Sequence, residues 1–459
     1  MFLQTIKSEG LAHLSYMFAD SDTAVVIDPR RDIDVYLEIA RREGCVIRHI
    51  FETHRNEDYV IGSLPLAEVT GADIHHGKNL DFKYGQAVSQ GDVFEVGDLK
   101  LHILETPGHT MESISIVVAD TSFSEQPIGV FTGDALFIGD VGRTDFYPER
   151  PREVAELLYN SIHNKLLPLG DQTILYPAHG AGSVCGAGMA SREFSTIGYE
   201  RQNNPRLQMA KDEFIEYKVQ EHHYQPPYFR RMEQYNQFGP PVLQHLPEPR
   251  AMSGDEFAGE MTAGLIPLDI RSPEAIAGAY IPGSLAIPLN MVPAFAGWYL
   301  PHDGNIGLIV ESQSQIDTAV RHLYRLGYDN IVGYLESGLH EWEVEGRVYD
   351  RIPAVHASEL ARRIEQNESF TLLDVRGIEE FEQGHLPGAR HIYVGELTDH
   401  LEDVPNDKPI TTFCGSGRRA IIAAAILKNN GYEQVEDCLG SMSACAALGC
   451  RTVEPAGTV

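Results

Sequence analysis

The feature that most constrains this chain is an internal repeat at a spacing of 105 residues. Leu268-Asp269-Ile270-Arg271 recurs as Leu373-Asp374-Val375-Arg376, and Ile281-Pro282-Gly283 recurs as Leu386-Pro387-Gly388. Further on, Leu326-Gly327-Tyr328 is echoed by Asn430-Gly431-Tyr432, within a residue of the same register. Units of that size can bury their own cores, so two copies make two domains and not a solenoid. Within the second copy the apolar runs FTLLDV (370–375) and PITTF (409–413) read as buried strands, and AIIAAAILKNN (420–430) reads as a helix. Strands alternating with helices imply a parallel α/β sheet.

Upstream of the repeat, short apolar runs (AVVIDP, LKLHILET, SISIVVA, IGVFTGDALF, QTILYPAH) end in His, Asp or Gly. That pattern puts polar groups at strand ends, where α/β folds place their sites. The stretch 235–251 carries four prolines and reads as a linker. The expected organisation is therefore 1–235, a linker at 236–251, a first repeat at 252–350 and a second at 351–459. Three domains suit a chain of 459 residues.

Acidic residues outnumber basic ones 66 to 36, and a net charge of -30 would repel a phosphate backbone, which excludes nucleic acid as an expected partner. No tract of about 18 apolar residues offers a membrane span, and the N-terminus MFLQTIKSEGLAHLSYMF lacks the basic-then-apolar layout of a secretory signal. We therefore expect a soluble, cytoplasmic chain. Its six cysteines (Cys45, Cys185, Cys414, Cys438, Cys445 and Cys450) are too sparse and uneven for a disulfide framework.

Four segments hold metal-ligand residue types, each at the end of an apolar run: Thr53-His54-Arg55-Asn56-Glu57-Asp58-Tyr59, Thr106-Pro107-Gly108-His109-Thr110, Phe131-Thr132-Gly133-Asp134 and Tyr176-Pro177-Ala178-His179-Gly180. In order and together they resemble the metallo-β-lactamase superfamily, and FTGDALFIGDVGRTDF (131–146) resembles its persulfide dioxygenase branch. The resemblance covers about the first 230 residues. It implies an αββα sandwich and one Fe(II) per chain held by His54, His109 and Asp134, with zinc as the alternative metal. A two-histidine, one-carboxylate set leaves positions open for substrate and dioxygen.

The superfamily's first motif reads T-H-x-H-x-D-H, whereas this chain has Asn56 and Tyr59 at its second and third histidine positions. A binuclear zinc site would lose a ligand from each metal; the iron triad loses none. Asp58 and His179 then remain to orient ligands or substrate. Arg143 is a candidate for binding a thiol's carboxylates, with an internal Arg143–Asp145 pair as the structural alternative. Cys185, six residues after His179, is a candidate sulfur carrier or a small packing residue. His75 and His76 are read as surface or core histidines outside the site, because neighbours on a strand point apart.

In the second repeat, Phe413-Cys414-Gly415-Ser416-Gly417-Arg418-Arg419-Ala420 follows a strand and opens a helix. A glycine-rich turn at a helix N-terminus presents backbone N–H groups to an anion and lowers the pKa of a thiol placed there. With LDVR (373–376) and GHLPGAR (384–390) upstream, residues 351–459 resemble the rhodanese family, so the resemblance implies Cys414 as the sulfur-carrying nucleophile. Gly415, Ser416, Gly417 and Arg418 would form the binding loop, and Arg419 would stabilise anions. The first repeat has Ile309-Val310-Glu311-Ser312-Gln313 where the loop should be, and no cysteine between 185 and 414. It reads as an inactive rhodanese-like scaffold. Cys438, Cys445 and Cys450 read as packing residues, Cys445 near the position that Trp342 holds in the first copy.

The fold class expected is thus α/β: a metallo-β-lactamase sandwich followed by two parallel-sheet rhodanese-like domains. The whole resembles bacterial fusions of a persulfide dioxygenase with an inactive and an active rhodanese. That resemblance implies oxidation of a low-molecular-weight thiol persulfide by O2 to sulfite, and sulfur transfer from Cys414 to sulfite to give thiosulfate. Two rival readings are a zinc thioester hydrolase of the glyoxalase II type fused to a sulfurtransferase, and a sulfur carrier with a non-catalytic N-terminal domain. A homo-oligomeric state stays open.

Overall fold

A computed structural model describes residues 1–183, 188–243 and 245–453. Two compact units follow one another along the chain, the first ending at His245 and the second starting at Leu246.

The first unit is built on strands that alternate between two apolar faces. In His13–Asp20, Leu14, Tyr16 and Phe18 point one way and Met17 and Ala19 the other, and all are buried. A strand apolar on both faces must be covered on both. One six-stranded sheet runs Phe2–Ser8, His13–Asp20, Thr23–Ile27, Val46–Glu52, Asp73–Gly77, Gln86–Val88. The other runs Ser195–Thr196, Ile174–Pro177, Pro127–Gly133, Ile114–Asp120, Leu99–Glu105, Val93–Val96. Between them lies a core that takes Tyr16, Phe18, Val25 and Phe51 from one sheet and Leu101, Ile103, Ile116 and Phe131 from the other. Outside the first sheet, Met17, Val26 and Ile50 pack with Tyr36, Ile39 and Leu66 of the helices Asp34–Glu43 and Ser63–Thr70. Outside the second, Val117, Val130 and Leu175 pack with Leu158 of Pro151–Ser161 and Phe214 of Lys211–Gln220. The layers are α, β, β, α, as expected.

The expected boundary at 235 falls inside the helix Phe229–Phe238. Asn236, fully buried, accepts a hydrogen bond from Ile61 N at 2.9 Å and donates to Asn56 O and Tyr59 O at 2.7 Å each. The start of the expected linker is therefore part of the first unit, tied to the turn that follows the strand Val46–Glu52.

The second unit holds two five-stranded parallel sheets of one strand order: Arg250–Met252, Ile331–Leu335, Ile306–Ile309, Ile266–Asp269, Leu285–Ala286, and Ala354–Val355, Val435–Cys438, Ile410–Phe413, Thr371–Asp374, Arg390–His391. The repeated Leu-Asp-x-Arg is a structural clasp. Arg271 closes on Asp269 at 2.6 Å and on Ala279 O at 2.6 Å; Arg376 closes on Asp374 at 2.7 Å and on Gly384 O at 2.8 Å. Each clasp fixes the end of a central strand to the helix beyond it. Among the described residues no helix is long and apolar enough to cross a membrane.

Candidate functional site

The four metal-type segments all leave the same end of the sandwich. His54 follows Val46–Glu52, His109 follows Leu99–Glu105, Asp134 follows Pro127–Gly133 and His179 follows Ile174–Pro177. Gly133 makes the sharp exit before Asp134: its φ is +55°, and a Cβ there would lie 2.7 Å from Thr53 Oγ1.

The chain ends so placed bring donor atoms of His54, His109 and Asp134 within 4.8 Å of one another, all three side chains buried. Asp134 Oδ2 stands 3.7 Å from His54 Nε2 and 3.5 Å from His109 Nε2. Local hydrogen bonds decide which ring nitrogen is bare. His109 Nδ1 faces the carbonyl of Arg143 at 3.0 Å, so it carries the proton. Thr53 Oγ1 donates to Asp28 at 2.7 Å and so accepts from His54 Nδ1 at 2.8 Å. Both Nε2 atoms are left with lone pairs turned into the shared space and no hydrogen-bond partner among the described residues. Burial pushes the His54 imidazole down to about 4, which keeps it neutral and able to ligate at pH 7. Burial opposes the charge on Asp134, but His179, His54 and His109 outweigh it and hold this carboxyl well below the usual carboxylate range. Two bare imidazole nitrogens and a carboxylate, dry and convergent, fit a divalent transition metal.

Asp58 and His179 stand beside this trio. His179 Nδ1 bonds Asp134 at 2.8 Å, and its Nε2 lies 3.2 Å from Asp58 Oδ2. Positions 56 and 59 contribute no imidazole: the Asn56 amide donates to His54 O, and Tyr59 packs its ring on His13 at 4.1 Å. Arg143 is buried and chelates Asp145 at 2.6 and 2.7 Å, with Tyr224 O and the Phe146 ring beside it. Its contact with the site is through its own backbone carbonyl on His109. Cys185 lies outside the described residues. His75 and His76 are both buried, facing His49 Nδ1 at 3.1 Å and Tyr84 O at 2.8 Å respectively, away from the trio. Sequence reasoning passed over Glu57, whose Oε1 is 3.5 Å from His109 Nε2. The available signal was a carboxylate inside the first motif.

In the second unit, Cys414 ends the strand Ile410–Phe413 and is fully buried, and the helix Arg418–Asn429 opens after it. Gly417 N donates to Cys414 Sγ at 3.1 Å; Gly417 has φ +91°, and a Cβ there would meet Gly440 N at 3.0 Å. The helix Ser441–Leu448 braces the loop, with Ser441 Oγ on Cys414 N at 3.1 Å, Met442 N on Cys414 O and Ser443 N on Gly415 O. Ser416 and Arg418 are exposed at the loop surface. Arg419 makes a two-pronged pair with Glu380 at 2.5 and 2.7 Å, a partner that sequence reasoning did not assign.

The first repeat shows what replaces the thiol. Strand register pairs Asp269 with Ile309 and Asp374 with Phe413, so Val310 holds the place of Cys414 and Gln315 that of Arg419. Gln315 Oε1 accepts from the N–H groups of Glu311 at 2.8 Å and Ser312 at 3.3 Å, while the Glu311 carboxylate accepts from Ser272 Oγ at 2.7 Å. The loop amides are engaged by the loop's own side chains. Cys438 and Cys445 lie in a buried cluster with Phe413 and Leu360, and Trp342 lies in the matching cluster of the first repeat.

A sandwich with metal-type residues at one end, joined to a cysteine loop on a parallel sheet, defines a two-part class. The metallo-beta-lactamase superfamily model matches residues 9–179 and the rhodanese-like domain model residues 356–447. The chain is 30% identical over 211 residues to the mitochondrial persulfide dioxygenase ETHE1 of Bos taurus, covering 44% of this chain and 74% of that one. It is 27% identical to the hydroxyacylglutathione hydrolase GloC of Haemophilus influenzae, covering 42% and 91%. A crystal structure of a metallo-beta-lactamase from Staphylococcus aureus is similar with TM-score 0.65 and 32% identity, covering 73% of this chain and 98% of that one. The chain belongs to the metallo-beta-lactamase superfamily, in the family of the ETHE1 persulfide dioxygenases, and carries a C-terminal rhodanese-like domain.

Proposed function

We propose that this chain oxidises low-molecular-weight thiol persulfides with O2 to sulfite at a single iron held by His54, His109 and Asp134, and then joins sulfane sulfur to sulfite through Cys414. In balance, a persulfide RSSH with O2 and water gives RSH, sulfite and two protons. Persulfidated Cys414 passes its outer sulfur to sulfite, the S–S bond breaks, and thiosulfate leaves with the Cys414 thiolate restored.

The observation that carries the reading is the bare pair of Nε2 atoms beside Asp134, in a motif whose other two histidine positions hold Asn56 and Tyr59. An iron bound there would supply a Lewis-acidic, redox-active centre with positions open to substrate. The protein's own share is orientation and dryness. Arg143 O and Thr53 fix the two imidazoles, His179 steadies Asp134, and Asp58 steadies His179. At the second centre, Gly417 N holds the sulfur of Cys414, and the Ser441–Leu448 helix keeps the loop in shape.

The hydrolase reading draws on the similarity to GloC, and metal content separates the two. Protein purified without air is expected to hold one iron per chain and to consume O2 with glutathione persulfide or coenzyme A persulfide. Zinc with thioester hydrolysis would replace the proposal. Cys414→Ala should keep O2 uptake and lose thiosulfate formation; thiosulfate made at the wild-type rate would remove the transfer step.

A further inference from the structure

Glu57 is as buried as the metal-type residues, 1% exposed, and its Oε1 stands 3.5 Å from His109 Nε2, the same distance that separates that nitrogen from Asp134 Oδ2. His109 has its proton on Nδ1, against the Arg143 carbonyl. Its Nε2 therefore turns a lone pair toward two carboxylates at once. Acceptors cannot face each other in a dry pocket without positive charge between them, because the repulsion is barely screened there. A cation bound to Nε2 resolves both contacts. The neighbouring sequence points the same way. Asn56, at the position where the superfamily motif has an imidazole, turns its amide back to His54 O and leaves that side of the pocket to the next residue.

We propose that Glu57 is a fourth protein group on the metal, its carboxylate standing on the side that the missing imidazole of position 56 would have served. The assignment rests on a metal being bound at His54, His109 and Asp134. It has a chemical consequence for that site: with Asp134 and Glu57 both ionised, a divalent ion is neutralised by the protein itself. An anionic sulfur ligand then adds to a neutral centre. A site with three imidazoles and one carboxylate would keep one positive charge.

The test uses the full chain and the metal alone. Fe(II) affinity is measured without air by competition with a coloured chelator, and the visible d–d bands of the Co(II)-loaded protein report the donor set. Glu57→Gln, nearly isosteric, is expected to weaken Fe(II) binding about 10- to 100-fold, the range seen when groups supporting a metal are removed, and to shift the Co(II) bands. Thiosulfate:cyanide sulfurtransferase activity of Cys414 in the same preparation checks folding and should not change. If Glu57→Gln does not fold, Glu57→Asp is read the same way: it keeps the charge but draws the carboxylate back by one methylene, so affinity falls and the bands move. Wild-type affinity and bands in the folded variant would overturn the proposal. Failure of the wild type to bind metal would instead remove the functional reading on which it rests.

Discussion

Arg419 and Glu380 show how a single pair can set what a site accepts. In the repeat register Ala275 stands for Glu380 and Gln315 for Arg419, so both partners are absent together from the copy that has no thiol. With its guanidinium engaged, Arg419 offers an incoming anion less than a free arginine would. Glu380→Gln should lower KM for thiosulfate, a dianion, by roughly threefold and steepen its dependence on salt; an unchanged KM and salt slope would show that the pair only braces the loop. His75 supports a second prediction. It is 3% exposed, and burial, with His49 beside it, pushes its imidazole down to about 4 from an ordinary 6.5. A lowered imidazole means that the unfolded chain binds the proton first, so stability is full above pH 6.5 and is lost as pH falls toward 4. The share from His75 is about 2 kcal/mol at pH 4.5. Urea unfolding at pH 7 and 4.5 should show a smaller acid loss in His75→Gln than in the wild type, and equal losses would contradict this.

Among the elements, strand ends were the most legible part of the sequence. His54, His109, Asp134 and His179 each close an apolar run, and a run that must be buried fixes where its strand stops. The parallel sheets were legible for the same reason, through LDIR and LDVR, although the arginine of that repeat serves the fold as a clasp on Asp269 and Asp374. Contacts remote in sequence were not legible. Nothing local marks Asn236 as the residue that ties a helix to the turn at 56–59, or Glu380 as the partner of an arginine 39 positions away. Glu57 escaped because an acidic residue in a loop is usually solvated; only its burial against His109 distinguishes it. The loop of the first repeat adds a prediction at this scale. Val310→Cys alone should acquire no cyanide-reactive sulfur on exposure to thiosulfate, since Gln315 already occupies the N–H groups of Glu311 and Ser312. Labelled sulfur on that variant at the level of Cys414 would show that the missing thiol was its sole defect.

At the scale of the whole molecule, the chain couples a metal sandwich to a duplicated α/β fold of which one copy keeps its cysteine. The two chemistries proposed for it share a currency of sulfur oxidation states, since the product of the first, sulfite, is the acceptor in the second. The central claim, however, is about one ion. Crystals of anaerobically iron-loaded protein, measured on both sides of the iron absorption edge, should give a single anomalous peak bounded by His54, His109 and Asp134. Two peaks, with the second beside Asp58 and His179, or no peak at the trio in protein that consumes O2 with persulfide, would contradict the account.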